Sequence, residues 1–406
     1  MLDGRLRQSL VTVRSLGRLG RSVAAVDTVS HVPAFSSRWC RSGFVCPADE
    51  GTDAYVAYLE QVLERVGARI LISSADGTIA LLRRHRARVQ QRVRIALANE
   101  PALAIAVNKE RTLAVAKRLG IGVPRTVFVS TVDEVPAALK EIGLPAVVKP
   151  SESWLGGEQD GVWMGPELVT TPDEARRAVA AVTCLGGVAL FQELLSGRRE
   201  AVSLLYAKGE IYARFAQWAK RTAPPLGGTS VLRQSIAVPP DVGDQAEQLV
   251  REIDLEGYSE VEFRRDGAGV PYLMEINPRL SASVEIAVRC GVDFPHLLYQ
   301  WASGEPIDTI EAYRTGAWMR HLQGDIMTTL AAFLQRGRPG VASPAQAVLG
   351  FGLSFLRPMG YDYVDWKDLY PAIKAASDGS RDLLIRATRA GWSRSRRNLS
   401  SSSPRI

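Results

Sequence analysis

YSEVEFRRDGAGVPYLMEINPRL, residues 258–280, reads as two extended arms joined by a turn at DGAG. Alternation along a strand sends residues i and i+2 to the same face, so Glu275 and Asn277 point the same way. Glu262 lies on the opposing arm. Two carboxylates and an amide oxygen are thereby within reach of one or two divalent cations. The chain offers no Cys/His cluster of metal-binding type, and hard oxygen ligands beside phosphates favour Mg²⁺.

Upstream lie the groups that an anionic phosphate requires. Lys109 opens a helix in NKERT, and Lys149 ends a buried strand in LPAVVKP. SESWLGGEQDGVWMG follows, a glycine-bearing loop able to fold over phosphates with backbone N–H donors. Further out, residues 189–218 are strand-rich, a further strand is read at 229–238, and helices are expected from about Ala282 to Cys290 and Asp293 to Ser303. The first hundred residues alternate short apolar runs (SVAAVD, GFVC, RILIS, VRIALA) with helical patterns, including one from Asp53 to Val66. That rhythm implies βαβ units and a parallel sheet. Such units normally begin with a strand, yet this chain opens on LDG and a helix, so the first strand is expected to be missing.

Composition bounds the alternatives. At 406 residues, 46% hydrophobic and 23% charged, the chain predicts several globular domains rather than disorder. No apolar run is long enough to span a bilayer, and arginines interrupt the N-terminal apolar positions, so no secretory signal is read there. Four cysteines make no disulfide framework; Cys40 and Cys46 are read as free thiols, and a cytoplasmic setting follows. The net charge of +7 is concentrated in residues 381–406, whose seven arginines and one aspartate leave +1 for the rest. This serine- and arginine-rich end is expected to be disordered and passive, with weak contact to an acidic surface as the lesser reading. A second basic run, Arg83 to Arg94, has helical spacing without aromatic interleaving and reads as a solvated face. Nucleic acid is not an expected partner.

Taken in order, NKE, GIGVPRT, LPAVVKP, the glycine loop, FQELLSG, VEF and LMEINPRLSAS resemble the ATP-grasp superfamily across about Met1 to Glu305. The likeness is to its carboxylate–amine ligases near the carbamoyl-phosphate synthetase and biotin carboxylase branch. It implies an α/β fold: a Rossmann-like domain at 1–100, then ATP-grasp α+β subdomains at 101–305. Within the latter, a small lid spans about 124–195 and a large subdomain about 196–305. A mostly helical extension (306–390) and a disordered basic tail (391–406) complete the expectation.

The resemblance also implies roles. Lys109, Lys149, Gly156 and Gly157 would contact nucleotide phosphates; Gln192, Glu193, Leu194 and Leu195 would form the adenine hinge; Glu200 would hold the ribose. Glu262, Glu275 and Asn277 would hold Mg²⁺, with Mn²⁺ as a substitute. Arg279 and Arg233 would stabilise the reacting centre, and Pro224 to Ser230 would border the acceptor substrate. Arg320 and His321 fall outside the matched region and read as packed residues, as do Trp154 and Trp163 beside the loop. The implied activity is ATP-dependent activation of a small carboxylate as an acyl phosphate, ADP-forming, for attack by an amine such as an amino acid or peptide. A homodimer is compatible with it. Two other readings stay open: bicarbonate phosphorylation as in carbamoyl-phosphate synthetase or biotin carboxylase, against which the lack of a recognisable carrier or glutaminase segment weighs, and ATP binding without turnover.

Overall fold

The computed structural model describes residues 1–49, 51–156, 161–225 and 227–377. Gly157 and the basic tail therefore lie outside the described residues.

The N-terminal region builds a parallel layer. Strand Val23–Asp27 pairs with Cys40–Val45, and Ile70–Leu71 pairs with Arg94–Ile95. The chain's first residues link the two pairs: Val26 N–H donates to Met1 O (2.9 Å), and Leu2 N–H donates to Ile72 O (2.9 Å). The place expected to lack a strand is thus filled by Met1–Gly4. Regular pairing stops at once because Asp3 turns to φ 59°. Helix Asp53–Val66 covers the layer as its pattern predicts: Thr52 caps its start, Gly67 ends it, and Tyr55, Val56, Leu59, Val62 and Leu63 are buried. The expected helix after Ala75 is broken at His85 into Asp76–Arg84 and Arg86–Gln90. Its basic face is held by acids, Arg88 on Glu60 (2.6 Å) and Arg83 on Glu100 (2.6 Å).

Residues 126–193 form a small antiparallel sheet in the order Thr126–Val129, Ala189–Glu193, Ala146–Pro150, Glu167–Val169. Helices Val135–Ile142 and Pro172–Thr183 close one face over Val129, Val148, Val169 and Phe191. The second helix starts where its sequence demands, with Thr171 as N-cap, Pro172 in the first turn and two acids behind it.

A seven-stranded sheet dominates the rest, in the order Pro271–Asn277, Gly257–Arg265, Arg199–Ala207, Glu210–Ala223, Thr229–Ile236, Trp318–Arg320, Gly360–Tyr361. All neighbours are antiparallel except the last pair. Lys208 and Gly209 both take left-handed φ (51° and 81°), the two-residue turn that suits a twisted hairpin. Helix Lys109–Arg118 packs on strand Pro271–Asn277, and its Leu113 and Ala116 share a core with Leu273 and Ile276. Burial of such side chains is worth ~1.5–3 kcal/mol each. The segment after Glu305, expected as a mostly helical extension, carries helices Leu322–Leu334 and Pro344–Leu353 and also adds two short strands to this sheet. The first helix packs beside strand Glu210–Ala223 and against the second.

Candidate active site

Register decides what the acid-bearing hairpin presents. Glu262 stands directly opposite Glu275, and Glu260 opposite Asn277, so all four side chains share a face. Glu262 Oε1 accepts from Asn277 Nδ2 (3.2 Å), and its Oε2 accepts from Arg199 Nε (2.9 Å) and Nη2 (2.5 Å). Burial pushes the Glu262 carboxyl up to about 7, with Glu275 and Glu260 adding to the rise and Arg199 opposing it. For Glu275, burial works in the same direction, but Lys109 and Lys149 outweigh it and hold the carboxyl below its usual range.

The lysines arrive from separate elements. Asn108 Oδ1 caps helix Lys109–Arg118 by accepting from Arg111 N (3.0 Å), which fixes Lys109 at the helix start. Lys109 Nζ donates to Ser153 Oγ (2.9 Å) and lies 3.4 Å from Glu275 Oε2. Lys149, in the register place opposite Leu190, reaches Met274 O (3.5 Å). Burial lowers its ammonium to about 8, opposed by Glu275 and helped by Lys109. Both lysines are buried against the same carboxylate.

A cavity of about 740 Å³ joins these groups. Gln192, Glu193, Leu194 and Leu195 line it, with Glu193 pinned by Arg125 N (2.8 Å) and Nε (2.9 Å). Gln192 Nε2 donates to Thr126 Oγ1, while its buried Oε1 has no partner among the described residues. Arg279 borders the cavity in a two-point pair with Asp76 (2.6 and 3.0 Å), which raises its pKa although burial opposes this. Trp163 Nε1 donates to the same Asp76 (3.2 Å), and the Trp154 ring lies over Gly77. Gly156 follows the short strand Trp154–Leu155 and is not among the lining residues. Pro224 and Gly227–Ser230 border the cavity from the other side.

Two expected site residues are not among the side chains that line the cavity. Glu200 is buried between Arg198 (2.9 Å) and Arg265 (2.8 Å). Strand alternation sends its neighbour Arg199 to the cavity instead, where it also donates to Gly228 O. Arg233 is fully buried and pairs with Asp362 at 2.6 and 3.1 Å, away from the lining. A buried guanidinium requires such a partner, and this one lies 129 residues downstream. Arg320 is likewise buried on Asp325 (2.6 Å), and His321 lies off the lining beside Tyr363.

Other lining residues were not anticipated. Glu260 was readable, since SEVEF places it two residues before Glu262 on the same face. Asp76, Arg264, Arg5, Arg7, Gln8 and Tyr363 carry no local signal and reach the cavity only through tertiary structure.

The donor set suits a hard cation. Among the described residues, no group of three or more His, Cys, Asp or Glu forms a metal cluster by itself. Glu262, Glu275 and Asn277 supply oxygen donors that fit Mg²⁺ when phosphate oxygens complete its shell.

Residues 189–324 match the family described as ATP-grasp in the biosynthetic pathway with Ter operon. A D-alanine–D-alanine ligase of Nitrosospira multiformis is 25% identical over 186 residues, 43% of this chain and 58% of that protein. The carbamoyl phosphate synthase large chain of Methanospirillum hungatei is 25% identical over 220 residues, 52% of this chain and 20% of that one. The chain thus spans less than two thirds of either relative. Among solved structures, the biotin carboxylase domain of the Hydrogenobacter thermophilus 2-oxoglutarate carboxylase, crystallised with MgADP, ADP and bicarbonate, superposes with a TM-score of 0.62. That match has 16% identity and covers 78% of this chain and 72% of that one. An N5-carboxyaminoimidazole ribonucleotide synthetase bound to ADP gives 0.61 at 14% identity, covering 82% and 84%. Residues 189–324 thus carry the match to an ATP-grasp family model, and the chain as a whole shares the fold of these ATP-grasp neighbours.

Proposed function

We propose that this protein is an ATP-dependent ligase that activates a small carboxylate as an acyl phosphate, releases ADP and joins the activated acid to an amine. The observation that carries the reading is the convergence of Lys109, Lys149, Glu262, Glu275, Asn277 and Arg279 on one cavity whose far wall is the Gln192–Leu195 segment. In this reading residues 1–100 serve as the Rossmann-like domain and 101–305 as the ATP-grasp body. The substrates are small molecules in a cytoplasmic setting, and a homodimer is the assembly to test.

Each group has a physical task. The backbone of Gln192–Leu195 orients the adenine, with the unpartnered Gln192 Oε1 as an available acceptor. Lys109 and Lys149 neutralise nucleotide phosphates; as buried ammonium groups they would each regain a charge-assisted partner. Glu262, Glu275 and Asn277 would hold Mg²⁺, which when bound supplies charge neutralisation at the transferring phosphoryl group. Arg279, pre-set by Asp76, offers donors toward the acyl oxygen. Trp154 and Trp163 help exclude water, which would otherwise hydrolyse an acyl phosphate.

The test is Glu275→Gln, which keeps shape but removes a negative ligand. ADP release should fall by about 10²–10³ while nucleotide binding persists. Wild-type turnover with wild-type Mg²⁺ dependence would reject the assignment.

A further inference from the structure

Among the described residues, the densest run of exposed large apolar side chains lies on two neighbouring helices, with Trp366, Tyr370 and Ile373 exposed further along the chain. Between Leu322 and Leu356, nine large hydrophobic side chains are exposed, among them Phe333, Leu334 (85%), Leu349, Phe355 and Leu356 (80%). Helix Leu322–Leu334 buries only Gly324, Asp325 and Ala332, and helix Pro344–Leu353 buries nothing. Neither helix is amphipathic in the ordinary sense. The first has one charged residue, Asp325, and the second has none. The pair is nonetheless firmly held: Arg221 donates to Asp325 Oδ2 (2.7 Å) and Ser354 Oγ (3.0 Å), and Thr328 Oγ1 donates to Thr222 O (2.9 Å). Exposed apolar side chains gathered on two helices that pack against each other mark a docking surface.

Charge identifies the occupant. From Leu322 to Arg357 the only acidic residue is Asp325, and it is fully buried in its pairs with Arg221 and Arg320. Arginines stand at 336, 338 and 357; Arg338 is engaged by Glu174 (2.6 Å). The exposed face is therefore apolar with cationic margins. A second copy docked on it would oppose arginine to arginine with no exposed acid from the same stretch to pair them. The segment 381–406, with seven arginines and one aspartate, carries the same sign. We propose that this hairpin docks on an anionic lipid surface, apolar side chains entering the acyl boundary and arginines meeting the headgroups.

Geometry fits an interfacial position. Helices of 13 and 10 residues rise about 20 and 15 Å, short of the ~30 Å hydrocarbon core, so they lie in the interface rather than cross it. The basic segment that follows supplies the second of the two signals that stable peripheral binding requires.

The full chain should co-sediment with phosphatidylcholine vesicles containing about 30% phosphatidylglycerol, and severalfold less with phosphatidylcholine alone. Leu334→Glu with Leu356→Glu, at positions too exposed to affect folding, should lower partitioning by roughly tenfold or more at unchanged thermal stability. Deleting residues 381–406 should weaken binding and reduce its salt sensitivity. Absence of co-sedimentation, or equal binding by the double variant, overturns the proposal. So does a dimer in solution that the same two substitutions dissolve, because a second copy would then cover the face.

Discussion

Asp362→Asn isolates what the Arg233 pair does. Asp362 Oδ1 accepts from Arg233 Nη2 (2.6 Å); Oδ2 accepts from Arg233 Nη1 (3.1 Å) and Arg7 Nη1 (2.5 Å). Arg233 has no exposed surface, and the Arg7 side chain is only 10% exposed. The amide preserves volume and one acceptor oxygen but leaves two guanidinium groups without a counter-charge. Breaking one side of a buried pair costs about 3–5 kcal/mol, and the full range applies here because Arg233 cannot reach water. Equilibrium urea unfolding at neutral pH measures it, as a lower midpoint at constant slope. The acid limb gives a second reading. Burial works against ionisation of Asp362, but Arg233 and Arg7 outweigh it and hold the carboxyl far below its usual 3.8. Its contribution is therefore complete above the ordinary carboxylate range and lost as pH falls below it, and the variant should lack that loss. A loss under about 1 kcal/mol, together with a raised KM, would refute the structural role and return Arg233 to the substrate.

Three other outcomes follow from the same contacts. Lys149→Ala should weaken nucleotide binding by about 1.5–3 kcal/mol in calorimetry, the scale for a hydrogen bond to a charged group; unchanged affinity removes Lys149 from the phosphate site. His321 is held down to about 3 by burial and by Arg7, so between pH 6.5 and 3 the unfolded chain binds the extra proton and stability falls with pH. The slope should approach 1.4 kcal/mol per pH unit at most, roughly one proton's worth, and His321→Asn should flatten it in pH-dependent unfolding. Gly77→Ala would set a Cβ 2.8 Å from the rigid Trp154 ring, so amide exchange at Leu155 and Val162 should accelerate; unchanged exchange would show that the lid does not rest there.

How far the sequence could be read depended on whether a feature was written locally. Parity along two strands is local, so the shared face of Glu275 and Asn277 followed from spacing, and cross-strand register adds Glu260 and Glu262 to it. The same parity rule could have located Arg199. RRE offers two adjacent candidates on opposite faces, and only pairing of Ala201 with Glu262 decides that Arg199 looks inward. Helix Asp53–Val66 carried its cap, apolar stripe and terminal glycine in sequence, whereas the break at His85 interrupts a run whose periodicity alone continues through it. Except for Arg320 and Asp325, five residues apart, the partners of the buried arginines were not local. Arg14 finds Asp368, and Arg233 finds Asp362, across more than a hundred residues.

These long-range pairs change how the C-terminal third must be viewed. Asp362 and Asp368 neutralise Arg7 and Arg14 of helix Arg7–Arg18 and Arg233 of the central sheet, while Arg14 also donates to Tyr363 O (2.9 Å) and Asp368 O (2.7 Å). Tyr363 in turn lines the cavity beside Arg5 and Arg7. Residues 362–368 therefore lock the N-terminal layer to the sheet that carries the carboxylates. Removing them would strand several buried cations at once, at a cost far above any surface substitution. The end of the cavity bordered by Arg5, Arg7 and Tyr363 is thus shaped by a segment beyond the 189–324 match.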